Sequence, residues 1–249
     1  MARTPDASLA ERAAALGLLG LLARWHAVEG EPWLRPLIEG EEEERCRRSL
    51  ERRLGRAALG AFKPMADFDW THPRKIDREA IEALFDLDFL RERTNVVFIG
   101  SSGVAKTMIA KNLAYRALLA GYTIRFVEAR DMLADLAAQD DPARFRRRLR
   151  KYTSPALLVV DEVGYMSYAQ GYADLLFQVV NQRYLRRSTI VTTNRIFGDW
   201  SEVFPNAVSI VALADRLCHK AEILTIDADS YRTKETHERN TARRSRRKS

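Results

Sequence analysis

The stretch NVVFIGSSGVAKTMIAKNLAYRALLAG (95–121) limits the possible folds of this chain more than any other. A short apolar run ends in glycine and a loop of small residues follows. Lys106-Thr107 then opens a segment where Ile109, Leu113 and Ala117 recur at four-residue steps, up to a terminating Gly121. Strand, glycine loop and helix in that order form the setting of a phosphate-binding loop, because main-chain N–H groups at a helix N-terminus favour a bound anion.

The same alternation continues. TIRFVEA (123–129) reads as a strand and 131–138 as a helix. ALLVV (156–160) is apolar throughout, as expected of a strand buried on both faces. Tyr172, Leu175, Leu176, Val179 and Val180 mark a helical stripe, and STIVTT (188–193) and EILTI (222–226) are further strands. Strands alternating with helices predict a parallel sheet. In such sheets ligands bind beyond the carboxyl ends of the strands, so residues just after NVVFIG, ALLVV and STIVTT should share one site.

That rule selects the candidate residues. Gly100, Ser101, Ser102, Gly103, Val104, Ala105, Lys106 and Thr107 form the loop; Lys106 suits β- and γ-phosphates and Thr107 suits Mg²⁺. Asp161 and Glu162 end the third strand, 55 residues after Lys106. The first is placed to hold Mg²⁺ and the second to polarise an attacking water. Asn194 follows the next strand, where an amide can orient water or touch a γ-phosphate. Ala105 stands where the pattern G-x-x-x-x-G-K-[ST] asks for glycine. If the backbone there needs a positive φ, alanine costs ~1–2 kcal/mol. That is at most about thirtyfold in affinity if all of it falls on binding, so the expectation is weakened nucleotide binding rather than none.

Residues 1–64 read as a helical region. The acidic block Glu41–Glu44 runs into RCRRSLERRLGR (45–56), with opposite charges at helical spacing. Ala13–Ala23 is apolar or glycine throughout, but eleven residues cannot span a bilayer, and an amphipathic or buried helix is expected there. Lys63-Pro64 suggests a boundary. The domains expected are therefore 1–64 (helical, partner or DNA binding), 65–235 (the sheet domain) and 236–249 (a basic, disordered tail). With 46% hydrophobic and 30% charged residues the chain reads as a soluble globular protein, and its net charge is +7. Arg232–Ser249 holds eight basic and two acidic residues, so most of the excess sits in the tail. RFRRRLRKY (144–152) can turn Phe145, Leu149 and Tyr152 inward and its arginines outward. Basic segments without a base-reading motif fit sequence-tolerant binding to DNA phosphates. Two distant cysteines and four scattered histidines offer neither a disulfide framework nor metal-ligand spacing, which suits a reducing cytoplasm.

GSSGVAKTMIAKNLA, LLVVDEVGY, ADLLFQVVNQRY, TTNRIFGDW, ADRLCHKAE and DSYR, together with FDW (68–70), resemble the IstB/DnaC group of AAA+ ATPases, and the IstB-like family most closely. The resemblance implies an α/β AAA+ P-loop NTPase fold, a parallel sheet flanked by helices, with a small N-terminal helical domain. It implies ATP and Mg²⁺ as cofactors and slow, assembly-dependent hydrolysis. It makes Asn194 sensor 1, Arg232 sensor 2, and Arg216 an arginine finger acting in trans within a homo-oligomer. It further implies duplex DNA and the transposase of the same element as partners, in the bacterial cytoplasm and on the nucleoid when DNA-bound, with no membrane role. The family normally has glycine at position 105, so the departure bears on ATP affinity and rate. Three rival readings stand beside this one: a DnaC-like helicase loader with the same engine, a small-molecule P-loop kinase, against which Asn194 with Arg216 argues, and a nucleotide-poor DNA-binding scaffold resting on Ala105.

Overall fold

The computed structural model describes residues 8–205 and 209–231. Contacts divide the chain into two compact units, 1–55 and 56–249. In the first, Ser8 caps α1 (Leu9–Ala15) through a capping box with Glu11. The apolar stretch 13–23 does not form one helix. Gly17, at φ +66°, ends α1 in a left-handed turn, and α2 (Leu19–Leu22) and α3 (Trp25–Val28) follow as single turns. Ala13 and Leu16 pack on Leu34 and Ile38 of the long helix α4 (Leu34–Ala57). Arg12 makes a two-pronged ion pair with Glu42 (2.9 and 2.8 Å). As the charge spacing predicts, pairs such as Glu44–Arg48 and Arg47–Glu51 run along the exposed side of α4.

The second unit begins with α5 (Arg78–Leu84) and α6 (Asp88–Arg91), which lead into β1 (Asn95–Ile99). The order is then α7 (Lys106–Leu119), β2 (Ile124–Glu128), α8 (Ala129–Ala137), α9 (Pro142–Thr153), β3 (Leu157–Val163) and α10 (Tyr172–Arg183). β4 (Ser188–Thr193), α11 (Trp200–Val203), α12 (Ile210–Cys218) and β5 (Ala221–Thr225) complete it. The five strands form one parallel sheet in the order β2-β3-β4-β1-β5. β4 is buried along its whole length and β3 nearly so, because both lie inside the sheet with helices packed against them. Gly121 (φ +98°) ends α7 as expected, with Tyr122 N–H reaching back to the Ala117 carbonyl.

The main core fills the space between the sheet and α8, α9, α10 and α12. Val97, Leu158, Val160 and Val191 meet Met132, Leu149, Leu176, Val179 and Leu213 there. A charged side chain is buried beside them. Arg183 is only 1% exposed, and its guanidinium is surrounded by the carbonyls of Tyr152, Thr153, Pro155, Ala156 and Ser188, with its Nε donating to Thr189 Oγ1 at 3.0 Å. Burial lowers its pKa, and these acceptors hold the charge in place. Arg183 thereby ties the end of α9 and the starts of β3 and β4 to α10. Arg183→Ala strands several buried carbonyls and should cost about 3 kcal/mol or more. A fall in the urea midpoint without a change in slope would report that loss.

Candidate nucleotide site

Three strand ends build the site. β1, β4 and β3 lie side by side, so the loops after Ile99, Thr193 and Val163 open on one edge. The glycines of the first loop are fixed by a chain segment that crosses it. At Gly100 a Cβ would stand 2.3 Å from the Ile226 carbonyl oxygen, and at Gly103 (φ +84°) it would stand 2.3 Å from Ser230 Oγ. Residues 226–231 lie over the loop, held by Ile226 N–H to the Ile99 carbonyl (2.8 Å) and Tyr231 N–H to the Gly103 carbonyl (3.0 Å). The segment 68–75 fastens them from the other side. Asp227 and Lys75 pair main chain to main chain, the Tyr231 hydroxyl donates to the Asp69 carbonyl (2.5 Å), and the His72 ring packs tilted against Tyr231. Burial, with Asp69 adding to it, pushes the Tyr231 phenol up to about 12, so it stays a neutral donor.

Ala105 adopts φ +72°, ψ 14°, in the left-handed region. The condition set by the sequence is met, and the alanine is strained where it stands. Lys106 begins α7 and is 3% exposed. Its Nζ donates to the Gly100 and Ser101 carbonyls (2.7 Å each) and to the Tyr165 hydroxyl (2.9 Å). The Thr107 hydroxyl lies 3.0 Å from both carboxylate oxygens of Asp161. Asp161 is 4% exposed and also accepts from Thr192 Oγ1, which in turn accepts the Glu162 N–H at 2.9 Å.

That pairing follows from a bulge. Val160 pairs with Val191 but Val163 with Thr193, so β3 carries one extra residue, and Glu162 takes φ +60°. The bulge lets Asp161 meet Thr107 while Glu162 lines a hollow of about 280 Å³ together with Lys106, Thr107, Lys63 and Tyr231. Asn194 is exposed beyond β4, with its Oδ1 3.8 Å from where a Cβ on Gly164 would stand. Ser101, Ser102 and Val104 complete the loop; both serines are exposed and Val104 is buried.

Not every candidate converges here. Arg216 lies on α12, its guanidinium over the rings of Phe177 (4.5 Å) and Tyr184 (6.0 Å) of the α10 region, and it does not line the hollow. Arg232 and the tail 236–249 lie outside the described residues, although Tyr231, immediately before Arg232, borders the hollow. Sequence reasoning missed Tyr165, Thr192 and Arg195. Arg195 donates to the Gly164 carbonyl (3.2 Å) and pairs with Glu202 (2.6 Å), holding the turn after β3. The tyrosine in DEVGY and the threonine in TTN carried no signal apart from the contacts that the fold creates.

A parallel sheet in this order, with lysine and threonine at the mouth of β1 and a carboxylate pair at the end of β3, defines an AAA+ P-loop domain. The architecture is shared with solved structures, among them DnaI (18% identical, TM-score 0.54, covering 69% of this chain and 90% of that one). A DNA replication initiation factor is likewise similar (21% identical, TM-score 0.52), covering 66% of this chain and only about half, 49%, of that one. Residues 8–239 match the model of the IstB-like ATP binding protein family, and the chain belongs to that family. It is 32% identical over 213 residues to the ATP-binding protein of insertion sequence IS5376 from Geobacillus stearothermophilus, across 86% of this chain and 85% of the relative.

Because the left-handed strain is present in the loop as it stands, part of it falls on the fold. Ala105→Gly should raise the thermal midpoint by a few degrees, about what ~1 kcal/mol gives a chain of this size. It should tighten adenine-nucleotide binding by no more than about thirtyfold. Calorimetry and a melting curve on the same preparation measure the two shares.

Proposed function

We propose that this protein is an ATP-dependent DNA-binding ATPase of an insertion sequence, assembling on duplex target DNA, deforming it, and recruiting a partner transposase. The observation that carries the reading is that Lys106, Thr107 and Glu162 line one hollow at the carboxyl edge of the sheet, with buried Asp161 hydrogen-bonded to Thr107, in a family of ATP-binding proteins whose relatives are named for insertion sequences. On ATP binding, Lys106 Nζ exchanges two carbonyls and the Tyr165 hydroxyl for β- and γ-phosphate oxygens. Thr107 and Asp161 offer oxygen donors only, the chemistry that suits a hard divalent cation. Mg²⁺ held there would neutralise charge on the phosphate oxygens. Glu162 orients and polarises the attacking water, and Asn194, across from Gly164, fixes its approach to the γ-phosphate.

Arg216 lies outside the hollow of its own chain, which suits delivery to a neighbouring subunit's nucleotide. A guanidinium supplied in trans makes hydrolysis depend on assembly. Arg232, following Tyr231, acts on nucleotide within its own subunit. The N-terminal unit exposes Leu19 and Trp33, apolar surface suited to a protein partner. Among the described residues no helix is long and apolar enough to cross a membrane, and we place the protein in the bacterial cytoplasm, on the nucleoid when DNA-bound.

Sedimentation with duplex DNA in the presence of ATP, ADP or neither tests the reading. ATP should produce large complexes, and Glu162→Gln, which removes the water-activating carboxylate, should make them persist. Particle size indifferent to ATP in both proteins would overturn it.

A further inference from the structure

The basic residues of α9 divide into two sets once their partners are known. Arg148 and Lys151 are tied to Asp135 (3.4 and 3.0 Å), and Tyr152 also donates to Asp135. Arg144, Arg146, Arg147 and Arg150 are exposed, and none makes an ion pair among the described residues. At 100° per residue these four span roughly 160° of the helix, on the side away from the buried Leu149 and Tyr152.

The helix does not end in open solvent. Its last carbonyls are gripped by Arg183 and Arg187, the first through Tyr152 O (3.0 Å) and the second through Thr153 O. That grip brings Arg186, Arg187 and Arg93 beside the end of α9, where they line an open hollow of about 450 Å³ with Thr153 and Gln182. No residue lining it is acidic. Behind it lies Arg183, a buried guanidinium held by carbonyl dipoles, which leave its charge uncancelled, with no carboxylate among its hydrogen-bond partners. The local field is therefore positive, and an anion would relieve it.

The position of this surface separates it from the nucleotide. Arg93 precedes β1, Thr153 precedes β3, and Arg186 and Arg187 precede β4. All lie at the amino edge of the sheet, while Lys106 and Asp161 lie at the carboxyl edge. The hollow has neither a glycine loop nor an aromatic platform for a base, and the charge continues along α9 in a row. A linear polyanion matches a row of guanidinium groups better than a compact ligand does.

We propose that Arg144, Arg146, Arg147 and Arg150 of α9, continued by Arg186, Arg187 and Arg93, form one phosphodiester track for duplex DNA at the amino edge of the sheet. The track rests on the DNA-binding reading above and adds the surface that does the binding. Its contacts are to phosphates, so binding is tolerant of sequence and steep in salt.

The test measures binding of the full chain with ATP to a fluorescent duplex of mixed sequence across a salt series. Two double variants are compared, Arg146→Gln with Arg150→Gln, and Arg93→Gln with Arg186→Gln. A control, Arg116→Gln with Arg130→Gln, removes the same charge from exposed positions on α7 and α8. All the substituted side chains are exposed, and melting curves verify folding. Each track variant should lower the slope of log affinity against log salt by about 1.8, roughly 0.9 per lost phosphate contact, and weaken binding roughly tenfold or more at moderate salt, with the control unchanged. A parent that binds while neither pair differs from the control would overturn the track. An effect confined to the α9 pair would overturn its continuation to the amino edge. A parent that binds no duplex at all would overturn the DNA-binding reading and the track with it, and acidic-peptide binding lost in the same variants would reassign the surface to a protein partner.

Discussion

The crossing of residues 226–231 over the glycine loop is the contact on which the site depends. β1 lies between β4 and β5, so the loop leaving β1 is flanked on one side by the Thr193 carbonyl, which accepts Gly100 N–H at 3.1 Å, and on the other by Ile226. No side chain fits between Gly100 and the Ile226 carbonyl, and none between Gly103 and Ser230. The loop's shape is thus set by close packing, of the Ile226 main chain on Gly100 and of the Ser230 side chain on Gly103. The same crossing joins three motifs far apart in sequence. FDW packs Phe68 on Trp70 and, through Asp69 and Phe68, on Tyr231. Tyr231 is bonded to the loop, and Arg232 follows it. A change at any one of the three alters the geometry of the other two.

The bulge in β3 makes the second half of the site. In a regular strand adjacent side chains point to opposite faces, and Asp161 and Glu162 could not both serve one ligand. The extra residue, with Glu162 at φ +60°, re-aims the pair. Non-glycine residues avoid that region unless their surroundings impose it. Here Thr192 imposes it, accepting the Glu162 N–H and donating to Asp161 through one hydroxyl. Two strained residues, Ala105 in the loop and Glu162 in β3, therefore line the same hollow as Lys106.

Much of this could be read from the sequence. All five strands lie within one or two residues of their predicted starts, because buried parallel strands are apolar runs and glycine punctuates them. β3 runs three residues further than its apolar run, since a bulge can carry two carboxylates that a periodic pattern assigns to a loop. The failure at 13–23 has the opposite cause. Composition gave no break, but Gly17 at φ +66° takes the left-handed conformation that ends a helix. Lys106, Thr107, Asp161 and Glu162 were legible because each is tied to a strand end. Tyr165 and Thr192 meet Lys106 and Asp161, 59 and 31 residues away, and nothing local marks them. Arg183 was illegible for a related reason. Its five carbonyl partners are backbone groups of residues 152, 153, 155, 156 and 188, which no side-chain pattern discloses.

Placing two polyanions on one small domain raises an electrostatic problem that the sheet can solve. ATP and DNA bound to neighbouring lysines would repel, and each would displace the other. β3 has seven residues, which at about 3.3 Å each puts roughly 23 Å between its ends. That is nearly three Debye lengths at physiological salt, about 8 Å each, so repulsion carried through the solvent between the two edges is small. On the proposed track DNA would lie at the amino edge, and structure offers nucleotide a second route of influence beside the field that crosses the protein. β3 and β4 are the physical link. Their amino ends are bound to Arg183, and their carboxyl ends hold Asp161, Glu162 and Thr192. A change of register or bulge geometry at one end must be absorbed by the same two strands at the other.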